Sequence, residues 1–555
     1  MKTRGEVSAD RLRGGYYTPP ALVDFCLERA ASLVGDRRDV AMLEPSAGDG
    51  AFLRGLARTR SGLGDRIGTV HAIELVVEEA AKAEVSMRSS GQLGRVERGS
   101  SIRWAVETDD WFGLVVGNPP FVRYQFVPDE DKRSIVWLAE RLGLRFAGVA
   151  NLWIPVLIGS LSRLLPGGVA SIVLPTECFT GMSAGVVREW LLHNFEDLTF
   201  DLFPAGSFPD VLQEVAVMSG RKTTGVESEP TCVSMVEHSH VGTSRRWLYS
   251  PQPDDFNWTR SLLEPHHLEA IALAGELPAV ARLGDVARLE VSIVTGANDF
   301  FCVDGETLSA HHLQPWARPL LARSRYSPGL IVSEADHLAI AESDARAWLL
   351  DFDPSAPDPT ALPTARRYLQ SGVERGLPER YKCRIREPWY TVPSVKAGSL
   401  MLSKRSHLYP RLLLNRAGVF TTDTIYRGDV IAPRPLTADD LVAAFHSSLT
   451  LLTVELESRC FGGGVLELVP SEVARLLVVA SAGFRKQIVT LDRVARSGEP
   501  EDLVRATDLA LAKSGLVPAD VLAVLSEARH VLLSRRLHRN LAGEADRETW
   551  DLRAA

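Results

Sequence analysis

The stretch that decides the fold of the first part of the chain is Leu43-Glu-Pro-Ser-Ala-Gly-Asp-Gly-Ala-Phe52. An apolar segment at residues 40–43 leads into it and a helix-period segment at residues 51–60 leaves it, so the predicted order is strand, glycine-rich turn and helix. Gly48 and Gly50 let the backbone approach a ligand closely, and the helix start offers free N–H groups. The turn lacks the G-x-G-x-x-G and phosphate-loop patterns. Taken alone, it is equally compatible with a plain structural turn.

Helical and strand-like segments alternate along the first 225 residues. Such alternation is typical of an α/β fold with a mixed, mostly parallel sheet, in which ligands bind beyond the carboxyl ends of the strands. We predict helices at residues 21–34, 51–60 and 152–165, and strands at residues 40–43, 69–75, 114–117, 170–174 and 215–219.

Acidic residues stand at the ends of the first two predicted strands. Glu44 ends the first, where a carboxylate suits a ligand with an ammonium group, and Glu74 lies at the end of the second. In doubly wound folds a carboxylate at the end of the second strand commonly accepts hydrogen bonds from a ribose. Glu74 alone would also suit the neighbourhood of a helix N-cap. Together with the glycine-rich turn, the two acids predict a pocket for an adenosine-type ligand.

The third strand end carries Asn118-Pro-Pro-Phe121. The side-chain oxygen of Asn118 and the carbonyl oxygen of Pro119 are two acceptors, and neither proline offers a competing N–H group. Two acceptors that converge suit an exocyclic amino group, because hydrogen bonds from both of its protons make the nitrogen more electron-rich. Phe121 offers a flat apolar surface for a ring. The motif therefore fits attack by an amino nitrogen on a bound electrophile.

Four motifs in series resemble the gamma-class N6-adenine DNA methyltransferases of restriction–modification or related phage-defence systems. They are Thr18-Pro-Pro-Ala-Leu-Val-Asp24, Glu44-Pro-Ser-Ala-Gly-Asp-Gly50, Glu74 and Asn118-Pro-Pro-Phe121, in the order and spacing of that family. The resemblance implies a Rossmann-like catalytic domain at residues 1–225. Because Asn-Pro-Pro-Phe also occurs in RNA and protein-glutamine amino-methyltransferases, it is the series of motifs that selects DNA.

The resemblance implies S-adenosylmethionine as the cofactor. Its methionine end would lie near Thr18 and Glu44, its ribose hydroxyls at Glu74, and its adenine against Ile73. The implied contacts up to this point are Thr18, Glu44, Ser46, Gly48, Ile73 and Glu74.

The chain departs from the family at one further contact with the cofactor's adenine. An Asp-Phe pair that family members often carry is replaced by Gly99-Ser-Ser-Ile-Arg-Trp104. Ser100 or Ser101 still offers a hydrogen bond and Ile102 an apolar contact. Ser101 and Ile102 therefore complete the predicted cofactor site, and a weaker affinity for the cofactor is expected.

The family also implies that the target adenine rotates out of the duplex, because its amino nitrogen cannot reach a methyl donor inside the helix. Asn118, Pro119, Pro120 and Phe121 would form the catalytic motif, with the first two accepting from the amino group and Phe121 stacking on the base. Phe208 matches a later family position whose aromatic ring packs against the flipped base. A position in the core suits Phe208 nearly as well.

The pattern of the sequence changes after Lys222, and segments at residues 294–300, 381–390 and 461–470 resemble parts of target-recognition domains in order and character. We predict a linker or peripheral segment at residues 226–285, a mixed α+β target-recognition (DNA-binding) domain at residues 286–480, and a helical C-terminal region at residues 481–555.

Between Arg375 and Arg416, ten Lys or Arg residues stand against two Glu, with aromatic residues interleaved. A face that binds phosphates leaves such a pattern, although most charge runs are salt-bridged surfaces. We predict double-stranded DNA as the partner, with contacts from Arg384, Arg386, Lys404, Arg405 and Arg416.

The composition of the 555 residues, 45% hydrophobic and 24% charged, is typical of a globular protein of two or three domains. Residues 1–15 lack the apolar core of a signal peptide, and the apolar stretch at residues 149–174 is interrupted by Arg163 and by Pro166-Gly-Gly168. We therefore expect a cytoplasmic protein without a membrane span. The six cysteines form no C-x-x-C pair, so neither a metal site nor a disulfide framework is expected.

Three functions remain open on the sequence. The favoured one is a site-specific adenine methyltransferase that modifies DNA beside a cognate restriction endonuclease or other defence subunits. A bifunctional enzyme that also cuts DNA has only Pro209-Asp210 to support it, since no Glu-x-Lys follows at a useful spacing. A non-catalytic DNA-binding subunit on a methylase scaffold is disfavoured by the intact Asn118-Pro-Pro-Phe121.

Overall fold

The computed structural model describes residues 17–122, 124–146, 151–204, 214–225, 232–239, 243–252, 255, 257–353, 355–392, 396–432, 435–461 and 464–537. The chain divides into two compact units, of which the first ends at Glu264 and the second begins at Pro265. Within the described residues, every helix is too short or too polar to cross a membrane.

Nine described strands of the first unit form one sheet in the order β3-β2-β1-β4-β5-β7-β6-β8-β9. Strands β1 to β5 run parallel, while β7 is antiparallel to both of its neighbours. This mixed, mostly parallel sheet confirms the predicted Rossmann-like fold. The strands are β1 (Val40–Glu44), β2 (Ile67–Glu74), β3 (Gly94–Arg98), β4 (Phe112–Gly117), β5 (Leu164–Pro175), β6 (Phe195–Leu202), β7 (Val215–Lys222), β8 (Val233–His238) and β9 (Ser244–Tyr249).

The helices of the first unit pack through two hydrophobic clusters. The first three helices share one cluster with the sheet, and Leu114 and Val116 of β4 belong to it while Val115 between them does not, as the alternation of a strand requires. The next three helices meet in the second cluster, around Ile135 and Val156. The helices are α1 (Pro20–Val34), α2 (Ala51–Leu56), α3 (Val77–Ser89), α4 (Ser101–Glu107), α5 (Asp129–Leu142), α6 (Trp153–Ser162), α7 (Glu177–Thr180) and α8 (Gly185–Asn194).

The segment predicted as a linker or peripheral segment, residues 226–285, divides between the two units. Its strands β8 and β9 extend the first sheet, because β8 pairs in parallel with β6 and β9 pairs antiparallel with β8. Its last part begins the second unit at Pro265. Short strands between polar, turn-forming residues lack the apolar run that marks a buried strand, so the sequence pattern does not give the bounds of these strands.

The second unit contains four described sheets, with strand orders β11-β19-β16-β18-β14, β12-β15-β13, β17-β21-β20 and β10-β22. The strands are β10 (Val280–Arg282), β11 (Ala287–Glu290), β12 (Cys302–Val303), β13 (Ala317–Pro319), β14 (Ile331–Val332), β15 (Trp348–Leu350), β16 (Leu400–Ser403), β17 (Arg405–Ser406), β18 (Leu412–Asn415), β19 (Ile425–Val430), β20 (Arg459–Phe461), β21 (Val465–Glu467) and β22 (Leu477–Val479).

Helices complete the second unit, and its last described part is helical as the sequence predicts. The helices are α9 (Pro265–Gly275), α10 (Leu283–Val286), α11 (Asn298–Phe301), α12 (Gly305–Ala310), α13 (Glu334–Ala341), α14 (Pro363–Glu374), α15 (Tyr381–Arg384), α16 (Ala438–Phe445), α17 (Ser448–Glu457), α18 (Pro470–Val473), α19 (Ile488–Ser497), α20 (Pro500–Lys513) and α21 (Ala519–Leu537).

Candidate cofactor and target-base site

The ends of three neighbouring strands bring the predicted site residues together. Glu44 closes β1, Glu74 closes β2, and Asn118 follows the last residue of β4. Strand β1 pairs in parallel with both β2 and β4, so the three carboxyl ends lie side by side. This is the edge at which parallel α/β sheets bind their ligands.

The glycine-rich turn between β1 and α2 is held from behind. The guanidinium of Arg54 donates to the carbonyl oxygen of Asp49 at 2.6 Å and to its carboxylate at 2.7 Å, and the Ser86 hydroxyl donates to the same carbonyl oxygen at 2.9 Å. In front, the Gly48 N–H donates to Glu74 Oε2 at 2.8 Å. These contacts fix the turn between the two acidic strand ends.

Two glycines of this turn have left-handed backbones but different surroundings. A Cβ on Gly48 (φ 54°) would meet no atom within 4 Å, whereas a Cβ on Gly50 (φ 82°) would lie 2.6 Å from Ser86 Cβ. Gly48 thus borders open space beside Glu74, where a ligand can approach the backbone. Gly50 is required instead for the packing of the turn against α3.

Gly50→Ala is therefore expected to lower the free energy of unfolding more than Gly48→Ala. A left-handed residue other than glycine costs about 1–2 kcal/mol at either position, and overpacking against Ser86 adds about 1–3 kcal/mol at position 50 only. Urea unfolding of both variants measures the difference. Gly48→Ala is expected to weaken binding of the predicted cofactor, because its methyl group enters the open space. Equal unfolding free energies would contradict this division of roles.

Glu44 is fully buried, and neither carboxylate oxygen has a hydrogen-bond partner among the described residues. Burial and the negative charges of Glu74 and Asp49 raise the pKa of Glu44 well above its ordinary value, while Arg54 acts in the opposite direction. A buried carboxylate without a partner is costly unless a cation pairs with it. Glu44 thus fits the ammonium group at the methionine end of S-adenosylmethionine.

Glu74 is only partly used by the protein. Its Oε2 accepts from the Gly48 N–H and its Oε1 from the Val76 N–H, both at 2.8 Å. A carboxylate has about four lone-pair sites, so both oxygens can accept a further hydrogen bond. This capacity fits the two hydroxyl groups of a ribose.

Two predicted contacts with the cofactor's adenine are wrong. Ile73 is fully buried within β2, and Ile102 is 1% exposed and packs in the second hydrophobic cluster. The apolar surface beside Glu74 comes from Leu75, which is 55% exposed. The predicted strand runs to residue 75, which would place Leu75 within the sheet, whereas β2 ends at Glu74 and leaves the next side chain uncovered.

The serines of the departing segment lie at the same edge of the sheet. The Gly99 N–H donates to the carbonyl oxygen of Glu74 at 3.0 Å, so this segment passes the end of β2. Ser100 is buried, Ser101 is the half-buried first residue of α4, and Ser46 is half-buried in the glycine-rich turn. A hydrogen bond from Ser101 or Ser46 to a cofactor stays a prediction.

Asn118 is oriented by the segment before α1. Its Nδ2 donates to the Thr18 hydroxyl oxygen at 3.2 Å, while its Oδ1 is buried without a hydrogen-bond partner among the described residues. Because the donor side of the amide is engaged, the acceptor side is left for a ligand. Pro119 is buried, Pro120 is half-buried, and Phe121 is half-buried against the first hydrophobic cluster. The structure thus joins Thr18, predicted beside the cofactor, to Asn118, predicted beside the target base.

Phe208 lies outside the described residues.

Ion pairs with three carboxylates engage half of the cations of the predicted basic face in the second unit. Arg416 and Arg405 remain 59% and 67% exposed in spite of their pairs, and Lys404 is 29% exposed. The pairs are Arg375 and Arg380 with Asp299, Lys404 and Arg405 with Glu467, and Arg416 with Asp439. Contacts of Lys404, Arg405 and Arg416 with DNA stay predictions.

Other members of the run have structural roles. The guanidinium of Arg386 donates to the carbonyl oxygens of Val294 and Thr295, both at 2.7 Å, and its contact with DNA stays a prediction. Trp389 and Tyr390 pack against a core cluster of the second unit. Arg384 is exposed.

Comparisons with known proteins identify the family. The model of the C-terminal domain of the Type II methyltransferase M.Eco57I matches residues 255–512. The Type II methyltransferase M.XhoI of Xanthomonas vasicola is 30% identical over 471 residues, which cover 72% of this chain and 81% of the relative. M.AccI of Acinetobacter calcoaceticus is 17% identical over 482 residues, which cover 82% of this chain and 84% of the relative.

Among solved structures, the type IIG restriction endonuclease BpuSI aligns with 96% of this chain and 68% of its own at 15% identity, with a TM-score of 0.45. The decisive similarity is the one to M.XhoI, because it joins 30% identity to coverage of most of the relative. The chain therefore belongs to the Type II DNA methyltransferases of restriction–modification systems, and S-adenosylmethionine is its cofactor.

Proposed function

We propose that the protein transfers a methyl group to the N6 amino nitrogen of an adenine that has rotated out of double-stranded DNA. The observation that carries the proposal is the buried acceptor oxygen of Asn118, whose amide is held by Thr18 at the strand end beside Glu44. The Asn118-Pro-Pro-Phe121 motif meets the cofactor residues at one edge of the sheet, which a methyl-transfer site needs.

Each side chain of the site has a separate task in this proposal. Glu44 holds the ammonium group of S-adenosylmethionine and Glu74 holds its ribose, so that the sulfonium methyl group is presented as the electrophile. Leu75 covers the adenine ring of the cofactor. These residues supply position rather than proton transfer.

The target base is held by the Asn118-Pro-Pro-Phe121 motif. Asn118 Oδ1 and the Pro119 carbonyl oxygen accept hydrogen bonds from the two N–H groups of the amino group. These hydrogen bonds direct the lone pair of the amino nitrogen toward the methyl group. Pro120 keeps the motif rigid, and Phe121 stacks on the flipped ring. Phe208 remains the proposed second aromatic partner of the base.

The test is methyl transfer from labelled S-adenosylmethionine to duplex DNA, followed by analysis of the DNA as nucleosides. We expect label in N6-methyl-2′-deoxyadenosine only, none in N4-methyl-2′-deoxycytidine, and none in RNA or protein offered in parallel. Sequencing of the same DNA with detection of modified bases then gives the recognised site. Transfer to cytosine alone, or to RNA or protein alone, would overturn the proposal.

The assay also separates the other two functions. A non-catalytic scaffold would transfer no label, and calorimetric titration would show whether it binds the cofactor. For a bifunctional enzyme, cleavage of the same DNA in the presence of Mg²⁺ is the measurement. Asp210, the acid that suggested a nuclease motif, lies outside the described residues.

A further inference from the structure

We propose that a short segment of the second unit, α15 with Ile385, is its DNA-reading surface. In this surface Lys382 and Arg384 bind phosphates of the DNA backbone, and Tyr381 and Ile385 contact the neighbouring bases. The proposal rests on the proposed function, since it takes duplex DNA as the substrate. Within the basic run, the proposal concerns five consecutive residues, called here the 381–385 turn.

The 381–385 turn is anchored through one residue and exposed at the others. Cys383 is fully buried in a core cluster of the second unit. Tyr381 is 64% exposed and Ile385 62% exposed, and Lys382 and Arg384 are also exposed. Large apolar side chains that stand in water beside cations are the composition of a surface that a nucleic acid covers.

Neighbouring residues hold the turn in place. The guanidinium of Arg386 binds the carbonyl oxygens of Val294 and Thr295. Gly296 has a φ of 83°, and a Cβ there would lie 2.8 Å from Lys382 Cβ, so the loop before α11 packs directly beneath the turn. A surface fixed in this way loses little conformational freedom when it binds.

The charge balance singles out the same residues. Of the ten cations between Arg375 and Arg416, five are in ion pairs, and the guanidinium groups of Arg386 and Arg411 donate to carbonyl oxygens. Lys382, Arg384 and Lys396 have no acidic partner among the described residues, and two of these three belong to the turn. An unpaired cation can bind a phosphate without first losing an ion pair.

The chemistry of the exposed side chains fits duplex DNA. Cations bind phosphate oxygens and set the position of a protein on DNA, while apolar and aromatic groups contact thymine methyl groups or base steps. The ammonium of Lys382 lies 5.5 Å from the centroid of the Tyr381 ring. The positive and the aromatic groups are thus adjacent, as contact with a phosphate and the neighbouring base requires.

The first test measures the salt dependence of DNA binding by the full chain, with fluorescent duplex DNA of random sequence as the probe. Removing one cation that binds a phosphate is expected to lower the slope of log K against log salt by about 1. Lys382→Ala together with Arg384→Ala should therefore lower the slope by about 2. Arg288→Ala is the matched control, because Arg288 is 75% exposed in the same unit but paired with Glu290. We expect little change of slope in this control.

The second test concerns sequence reading. Tyr381→Ser and Ile385→Ser are expected to leave the salt slope unchanged but to alter which positions of a randomised duplex library are methylated. All of the substituted residues are exposed, and thermal unfolding at the parent temperature confirms that a variant is folded. An unchanged slope in the double alanine variant, or an equal loss in the Arg288→Ala variant, overturns the phosphate contacts. Unchanged methylated sites in both serine variants overturn the base contacts.

The salt-dependence test is independent of the proposed reaction, whereas the library test uses that reaction as its readout. If the parent protein methylates no adenine but its binding still depends on the 381–385 turn, the reaction fails and the surface stands. If adenine is methylated but neither test responds to the substitutions, the surface fails and the reaction stands.

Discussion

Asn118→Ala is expected to lower the rate of methyl transfer to DNA by at least about a hundredfold, as the removal of one aimed hydrogen-bonding group does at other enzyme sites. The substitution removes the buried Oδ1 that we propose accepts a proton of the target amino group. It leaves Glu44 and Glu74 in place, so the affinity for S-adenosylmethionine is expected to change by less than about threefold. Single-turnover transfer and calorimetric titration measure the two quantities.

Asn118→Asp is the informative companion of this variant. It keeps an acceptor oxygen at the same position but replaces the Nδ2 donor that binds the Thr18 hydroxyl. We expect an activity between those of the parent and the alanine variant. If Asn118→Ala keeps more than about a tenth of the parent rate, the proposed role of Asn118 is wrong, whatever the outcome for the aspartate.

The second large effect is expected for Glu44→Gln, which should weaken the binding of S-adenosylmethionine by about tenfold to a hundredfold. A hydrogen bond to a charged group contributes about 1.5–3 kcal/mol, and each 1.4 kcal/mol corresponds to a factor of ten in affinity. Glutamine retains the size of the side chain, loses its charge and replaces one acceptor oxygen by an NH2 donor. Calorimetric titration of both proteins at one pH measures the change, with Glu97→Gln as a control at a 40% exposed acid of the same unit.

The same variant carries a pH signature. Burial raises the pKa of Glu44 in the free protein, so a fraction of the molecules must lose a proton before the ammonium group can pair with the carboxylate. Cofactor affinity should therefore rise with pH until the raised pKa of Glu44 is passed, and binding should release protons into the buffer. Glu44→Gln should abolish both effects. Titrations in two buffers of different ionisation enthalpy count the protons, and equal proton release by parent and variant would show that another group titrates.

The catalytic half of the fold could be predicted because its decisive features are local. A strand, a turn with Gly48 and Gly50, and a helix follow directly in sequence, and the acids at 44 and 74 mark where strands end. Parallel pairing then places these ends together without further information. Asn118 was recognised for the same reason, since an amide and two prolines at a strand end have no evident packing role.

The parts that escaped prediction depend on what covers a side chain. Ile73 and Leu75 are both apolar and two residues apart. Ile73 is nevertheless buried within β2, whereas Leu75 lies beyond the end of this strand and is exposed. The ion pairs of the basic run could not be predicted either, because their acidic partners Asp299, Asp439 and Glu467 come from other parts of the chain. Neither coverage nor distant ion pairs leave a signal in the local sequence.

The free acceptor of Asn118 has a consequence for the energetics of base flipping. A buried acceptor without a partner raises the free energy of the protein by about 1–3 kcal/mol, and extracting a base from the duplex costs a few kcal/mol. An extrahelical amino group that binds Oδ1 removes the first cost as the second is incurred. In the proposed reaction, this hydrogen bond would offset part of the cost of extracting the base.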